Sequence, residues 1–210
     1  MSNEYTERLV RIADELRAIA ENGLQWAQND YDRARYDKAL SLAADLLSLV
    51  DTRDAGEIER VFRGDLSVRT PFVGVDAAIF NAEGKILLVQ RADTATWCMP
   101  GGMADVGESP AQVAEREVWE ETGLHVEARR LVGVFDSRVT LGWPTSPVHL
   151  YHICFICERV GGALTLTNET IAYGFFSEGE AASLSLYRGH AFRIPCAFRL
   201  YRNDTEAMFH

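Results

Sequence analysis

From Gly102 to Leu124 the chain reads G-M-A-D-V-G-E-S-P-A-Q-V-A-E-R-E-V-W-E-E-T-G-L. Ser109 and Gln112 have the S-x-x-Q spacing of a capping box, and Pro110 falls at the first helical position, where a missing N–H costs nothing. Gly123 supplies the left-handed residue that commonly ends a helix. The spacing predicts a helix over Pro110–Thr122. Glu117, Glu120 and Glu121 stand at i, i+3 and i+4, so three carboxylates share one face of it. Ala111, Ala114 and Val118 form an adjacent strip suited to packing against a sheet.

Like charges at that spacing destabilise a helix by about 0.2–0.5 kcal/mol per pair. Arg116 alone does not neutralise three carboxylates, so the cluster calls for a further cation. Hard oxygen ligands suit Mg²⁺ or Mn²⁺, and Mg²⁺ binds through one or two carboxylates together with waters and substrate phosphate oxygens. The pattern points to phosphate chemistry. A solvated acidic face is the alternative, and the placement of Gly102, Glu108 and Gly123 around the helix weighs against it.

The stretch resembles the Nudix box of nucleoside-diphosphate hydrolases, G-x5-E-x7-R-E-U-x-E-E-x-G-U with U apolar. Every fixed position agrees: Gly102, Glu108, Arg116, Glu117, Val118, Glu120, Glu121, Gly123 and Leu124. Seven of these demand one residue type, which at ordinary usage arises by chance about once in 10⁸–10⁹ starting points, so coincidence is set aside. The approach Trp97-Cys98-Met99-Pro100-Gly101-Gly102 and the stretch Ala104–Pro110 are similar to a branch with a helical N-terminal domain. That branch acts on nucleoside diphosphates linked to another moiety, such as ADP-ribose or CDP-choline. Asn22–Ala27, Tyr31–Tyr36, Glu169-Thr170 and Gly174–Phe176 extend the likeness over nearly the whole chain.

The resemblance implies roles for matching positions. Glu117 and Glu121 would be the principal Mg²⁺ ligands, Glu120 would share a metal directly or through water, and the Gly101 carbonyl would be a further ligand. Arg116 would orient the glutamates through a salt bridge. Glu108 would hold a water, pair with Arg116 or be a plain loop charge. Glu169 is the candidate general base, with Glu178 and Glu180 as rivals. Trp97 would stack on a base or sugar, or pack in the core. Tyr31 and Tyr36, with Trp26 and Arg35, would line a ligand pocket or a helix–helix contact. One departure stands against ADP-ribose: the proline that some dedicated ADP-ribose hydrolases carry about sixteen residues past the box is replaced by Val139 and Thr140, with Pro144 and Pro147 later.

Composition sets the frame. The chain has 210 residues, a net charge of −10, 47% hydrophobic and 25% charged residues, which are values of a soluble globular protein. The acidity argues against broad nucleic-acid binding and makes a metal-free diphosphate an unfavourable ligand. No apolar run reaches membrane-span length, and the polar start MSNEYTERL lacks a signal-peptide pattern, so cytoplasm is the expected compartment. Cys98, Cys154, Cys157 and Cys196 have no disulfide-framework spacing. Cys154 and Cys157 sit three apart in HICFIC, a strand-like run that turns them to opposite faces, which disfavours a shared metal.

Residues 1–66 read as helical. Leu9, Ile12, Ala13, Leu16, Ile19 and Ala20 recur at helical spacing, as do Ala39, Leu42, Ala43, Leu46, Leu47 and Val50, with Asn22-Gly23 expected to break between them. A third helix is expected through Gly56–Phe62. Such helices leave apolar stripes that need the main domain or a second subunit, so a homodimer is expected. Strand-like runs follow: Val73–Phe80 and Ile86–Gln90 joined as a hairpin at 81–84, then Glu127–Val134, Leu150–Cys157 and Ala163–Thr167. Residues 67–210 are thus expected to form an α/β/α sandwich with a mixed sheet. The expected activity is Mg²⁺-dependent hydrolysis of the diphosphate to a nucleoside monophosphate and a phosphorylated partner. The competing readings are a ligand-binding regulator without turnover and a hydrolase of RNA or nucleotide ends.

Overall fold

A computed structural model of the chain describes residues 3–140, 149–202 and 206–209. Contacts divide them into two units, one ending at Pro71 and the other starting at Phe72. The first unit holds α1 (Asn3–Trp26), α2 (Asp30–Ser48) and α3 (Ala55–Gly64) around Ala20, Leu24, Leu40, Ala43, Ile58 and Phe62. Asn29 caps α2 by accepting the Asp32 N–H at 2.9 Å, and Asp54 and Glu57 close a capping box on α3.

The expected break at Asn22-Gly23 is absent, because α1 continues to Trp26. Tertiary contacts outweigh local propensity there. A Cβ on Gly23 would lie 2.3 Å from the Tyr36 ring, so glycine is what lets α2 approach. The Asn22 side chain accepts the Arg69 N–H at 2.7 Å and donates to the Arg69 carbonyl at 3.1 Å. Arg69 also pairs with Asp14 at 3.0 Å, tying the segment before Pro71 to α1.

The second unit contains β1 (Phe72–Ile79), β2 (Ile86–Arg91), β3 (Trp97–Cys98), β4 (Gly101–Met103), α4 (Pro110–Thr122), β5 (Leu124–Asp136) and α5 (Ser137–Thr140). It continues with β6 (Leu150–Gly162), β7 (Thr170–Phe176), α6 (Glu178–Ala182), α7 (His190–Tyr201) and β8 (Met208–Phe209). Five strands lie in the order β4-β1-β6-β5-β8, with β1 parallel to β6, and three in the order β3-β2-β7. Two expectations fail here. β1 and β2 do not form a hairpin ladder; they enter different sheets and share only the bridge Phe80↔Ile86. Residues 163–167 are not a strand, because Thr165 N–H bonds the Thr122 carbonyl at 2.9 Å and the chain runs as a loop to β7.

Alternation along β1 decides the layers. Val75, Ala77 and Ile79 pack with Val113, Ala114 and Val118 of α4, whereas Ala78 packs with Ile194, Ala197 and Phe198 of α7. The expected mixed α/β/α arrangement is present. Cys154 and Cys157 fall in the two different clusters, both buried and unpaired. Sequence patterning does not foresee α7: it carries an internal Pro195, and its buried residues include His190 and Arg193 as well as apolar ones. Among the described residues no helix is long and apolar enough to cross a membrane.

Candidate active site

Local chemistry starts and stops α4 as its sequence dictates. Ser109 N–H donates to Gln112 Oε1 at 2.9 Å and Ser109 Oγ accepts the Gln112 N–H at 3.4 Å, while Gly123 ends the helix at φ 73°. Burial of Val113, Ala114 and Val118 then fixes the rotation of the helix, and its acidic face meets β4. Glu121 Oε2 accepts the Gly101 N–H at 3.0 Å. The Glu117 carboxylate lies over Gly102, where a Cβ would stand 2.3 Å from Oε1. Space demands glycine at 101, where a Cβ would stand 2.1 Å from the Val75 carbonyl oxygen, whereas at 102 it would meet the movable Glu117 carboxylate.

Arg116 is the hub of the cluster. Its Nε and Nη2 grip Glu108 at 2.8 and 3.0 Å, and Nη1 reaches Glu117 at 2.9 Å and Glu120 at 3.0 Å. Nη2 also donates to the Met103 carbonyl at 3.2 Å. Of the alternatives for Glu108, pairing with Arg116 is the one observed, and that hydrogen bond holds the Glu108 carboxyl below its ordinary range.

Charge in this site is under-compensated. Burial pushes the Glu121 carboxyl up to about 8, with Glu117 and Glu169 adding to the effect against the Gly101 N–H and Arg91. Burial also raises Glu117, opposed by Arg116 and assisted by Glu120 and Glu169. A cation placed among these oxygens would relieve both. Among the described residues no three acidic, His or Cys side chains stand together so as to hold a metal ion by themselves. An open carboxylate face suits Mg²⁺, whose shell is completed by waters and phosphate oxygens.

Glu169 is brought to the same place by the end of its loop. Thr170 Oγ1 donates to the Glu121 carbonyl at 3.0 Å, and the Glu169 carbonyl accepts the Ala92 N–H at 2.9 Å. The Glu169 side chain is exposed, and its charge acts on both Glu117 and Glu121. The rivals are engaged elsewhere. Glu178 pairs with Arg202 at 2.8 Å, and Glu180 caps α6 through Ser177.

Of the aromatic candidates, Trp97 and Tyr36 lie in packing positions. Trp97 is half-buried, edge-on to Phe176 at 5.0 Å between ring centres, which is the core role. Tyr36 packs on Gly23 in the helical unit, Tyr31 and Trp26 are exposed, and Arg35 pairs with Asp32 at 3.1 Å. Pro144 and Pro147 lie outside the described residues.

Sequence reasoning missed Arg91 and a quartet of which three members are buried. The Arg91 guanidinium is held by both oxygens of Asp93 and lies 4.5 Å from the Tyr187 ring centre, and its charge acts on Glu121. A fixed guanidinium whose charge reaches Glu121 has the chemistry of a phosphate contact. The quartet is Asp76, His152, His190 and Arg193, with Arg193 Nε 2.7 Å from Asp76 Oδ2. In the sequence, Asp76 gives no hint that its partners lie on β6 and α7.

Comparison with known proteins agrees with this geometry. The NUDIX domain model matches residues 70–196, and a model described as a UDP-X-like N-terminal oligomerisation domain matches residues 7–62. The chain is 32% identical over 210 residues to YjhB of Bacillus subtilis (strain 168), named provisionally as an ADP-ribose pyrophosphatase, covering 100% of this chain and 98% of that one. A crystal structure of an ADP-ribose pyrophosphatase from Streptococcus suis 89-1591 aligns with TM-score 0.57 and 34% identity over 67% of this chain and 100% of that one. A UDP-X diphosphatase crystal structure aligns with TM-score 0.62 and 26% identity over 98% of this chain and 99% of that one. With the full box, the α/β/α layers and a family match over most of its length, the chain belongs to the Nudix hydrolases.

Proposed function

We propose that this Nudix hydrolase is a Mg²⁺-dependent pyrophosphohydrolase of nucleoside diphosphates linked to another moiety, of the ADP-ribose or CDP-choline type. The observation that carries the reading is the face of α4, where Glu117 and the buried Glu121 meet the Gly101-Gly102 backbone and Glu120 joins them through Arg116. Glu117 and Glu121 would hold the metal, with Glu120 and the Gly101 carbonyl as further ligands. When bound, Mg²⁺, or Mn²⁺ in its place, supplies charge neutralisation at the phosphoryl oxygens and acidifies water.

The protein's own groups do the rest. Arg116 holds Glu117 and Glu120 in register, and Arg91 offers its guanidinium to a phosphate oxygen. Glu169, exposed at the edge of the cluster, takes the proton from the attacking water. Attack at one phosphorus gives a nucleoside monophosphate and a phosphorylated partner: AMP and ribose 5-phosphate, or CMP and phosphocholine. The names of the B. subtilis and S. suis relatives support the ADP-ribose member of the pair. A panel of ADP-ribose, CDP-choline and UDP-linked sugars, assayed for monophosphate release, tests the reading; release from none of them would overturn it.

We also infer a homodimer built through residues 1–66. Tyr5, Ile12, Ile19 and Trp26 are exposed at seven-residue intervals along α1, the spacing of a seam for a partner helix. The oligomerisation domain matched at residues 7–62 supports the same reading. Four buried cysteines without disulfides fit the expected cytoplasmic setting.

A further inference from the structure

The strap that enters the box is held from both faces of the sheet. On the α4 side Gly101 N–H donates to Glu121. In the middle the Pro100 carbonyl accepts the Ala77 N–H at 2.9 Å. On the α7 side Met99 N–H donates to His190 Nδ1 at 3.3 Å, in a fully buried setting. Three successive residues, Met99, Pro100 and Gly101, are therefore fixed by three different elements.

His190 opens α7 beside Asp76 and Arg193. Its Nε2 lies 3.9 Å from Asp76 Oδ1 and 3.3 Å from Arg193 Nη2. A neutral imidazole carries one N–H, so a ring whose Nδ1 accepts from Met99 must bear its proton on Nε2. Asp76 Oδ1 faces that proton from 3.9 Å, beyond hydrogen-bond distance, and Arg193 Nη2 donates to Nε2 only in the opposite tautomer, so the Met99 and Arg193 contacts, both 3.3 Å, are alternatives. Burial, reinforced by the Arg193 charge, pulls the ring far below the ordinary imidazole range to about 3, so it stays neutral. Asp76 stands opposite Gly101 in the β1–β4 register, which puts this anchor directly behind the glycine of the site.

We propose that His190, facing the Asp76 carboxylate, is a positioning residue whose Nδ1 accepts the Met99 N–H and thereby aims the Pro100–Gly101 peptide at Glu121. The proposal rests on the reading of the α4 carboxylates as the catalytic site. His190 touches neither substrate nor reacting atoms; it acts through the strap. Without an acceptor at that point, the buried Met99 N–H is unsatisfied and the strap shifts to find one. A displacement of about 1 Å at a reacting centre costs up to about a hundredfold in rate.

Two measurements test it. ¹⁵N NMR of the wild-type protein should place the His190 proton on Nε2, with a hydrogen-bonded Met99 amide; a proton on Nδ1 overturns the proposal. His190→Asn keeps an acceptor at the Nδ1 position, whereas His190→Gln carries its amide toward the Nε2 position. The Asn variant should keep kcat within about threefold, and the Gln variant should lose about tenfold to a hundredfold in kcat with KM changing less. Equal damage in both variants overturns the acceptor role, as does equal activity. If the Gln variant does not fold, the tautomer and the Asn variant decide. Failure of the catalytic reading is separable: Glu121→Gln would then stay active while the tautomer and Met99 amide results still stand.

Discussion

Glu117 folds its carboxylate over the bare α-carbon of Gly102, so closely that a Cβ at that position would stand 2.3 Å from Oε1 and 2.5 Å from Cδ. The obstructed atoms are the far end of a flexible side chain, so Gly102→Ala should move Glu117 and leave the fold intact. The expected result is a loss in kcat of about tenfold to a hundredfold with a nearly unchanged melting temperature. Steady-state assays in Mg²⁺ beside thermal melts check it; unimpaired turnover would remove Glu117 from the site.

Glu121→Gln keeps the shape of a buried side chain and removes its charge. One charged metal ligand supplies several kcal/mol in the transition state, so kcat should fall by at least about two orders of magnitude. Circular dichroism should stay native. Near wild-type turnover with Mg²⁺ would refute the ligand assignment.

Glu169→Gln should lower kcat more than it raises KM. Glu180→Gln should be silent, because glutamine also completes a capping box with Ser177. Glu178→Gln loses only a surface pair with Arg202. A damaging change at 178 or 180 with a silent one at 169 would move the base elsewhere.

His190 predicts an acid-side loss of stability. Its folded value, about 3, lies below the unfolded value near 6.5, so its contribution is complete above pH 6.5 and is lost as pH falls toward 3. Between pH 6.5 and pH 5 that loss is about 2 kcal/mol. His152, which burial also holds below the ordinary imidazole range, adds to the pH dependence, so the measurement is the difference between wild type and His190→Asn in urea unfolding at the two pH values. A difference that does not change with pH would contradict a buried neutral His190.

Charge placed on the seven-residue stripe should separate the subunits. Ile12→Glu and Ile19→Glu, at positions 38% and 60% exposed, should leave the helices folded while light scattering falls from twice the chain mass to one. A wild-type monomer at micromolar concentration would defeat the dimer.

Local rules made much of this protein legible from sequence. The bounds of α4, its Ser109–Gln112 cap, the Gly123 stop and the shared face of three glutamates follow from helical geometry over a few residues. So does the facing of Cys154 and Cys157 into different clusters, which needs only strand alternation. Partner choice did not follow. The turn at Asn81–Gly84 looked like a hairpin, yet β1 pairs with β6, because a turn fixes direction and cannot choose the strand that completes the ladder. Gly23 read as a helix break until Tyr36, thirteen positions on, showed why it is glycine. Met99 and His190 stand 91 positions apart, and Asp76, His152 and Arg193 come from three different elements. Spacing along the chain encodes what one helix or strand presents on its faces; burial of charge and pairing of distant hydrogen-bonding groups exist only once the layers close and water is excluded.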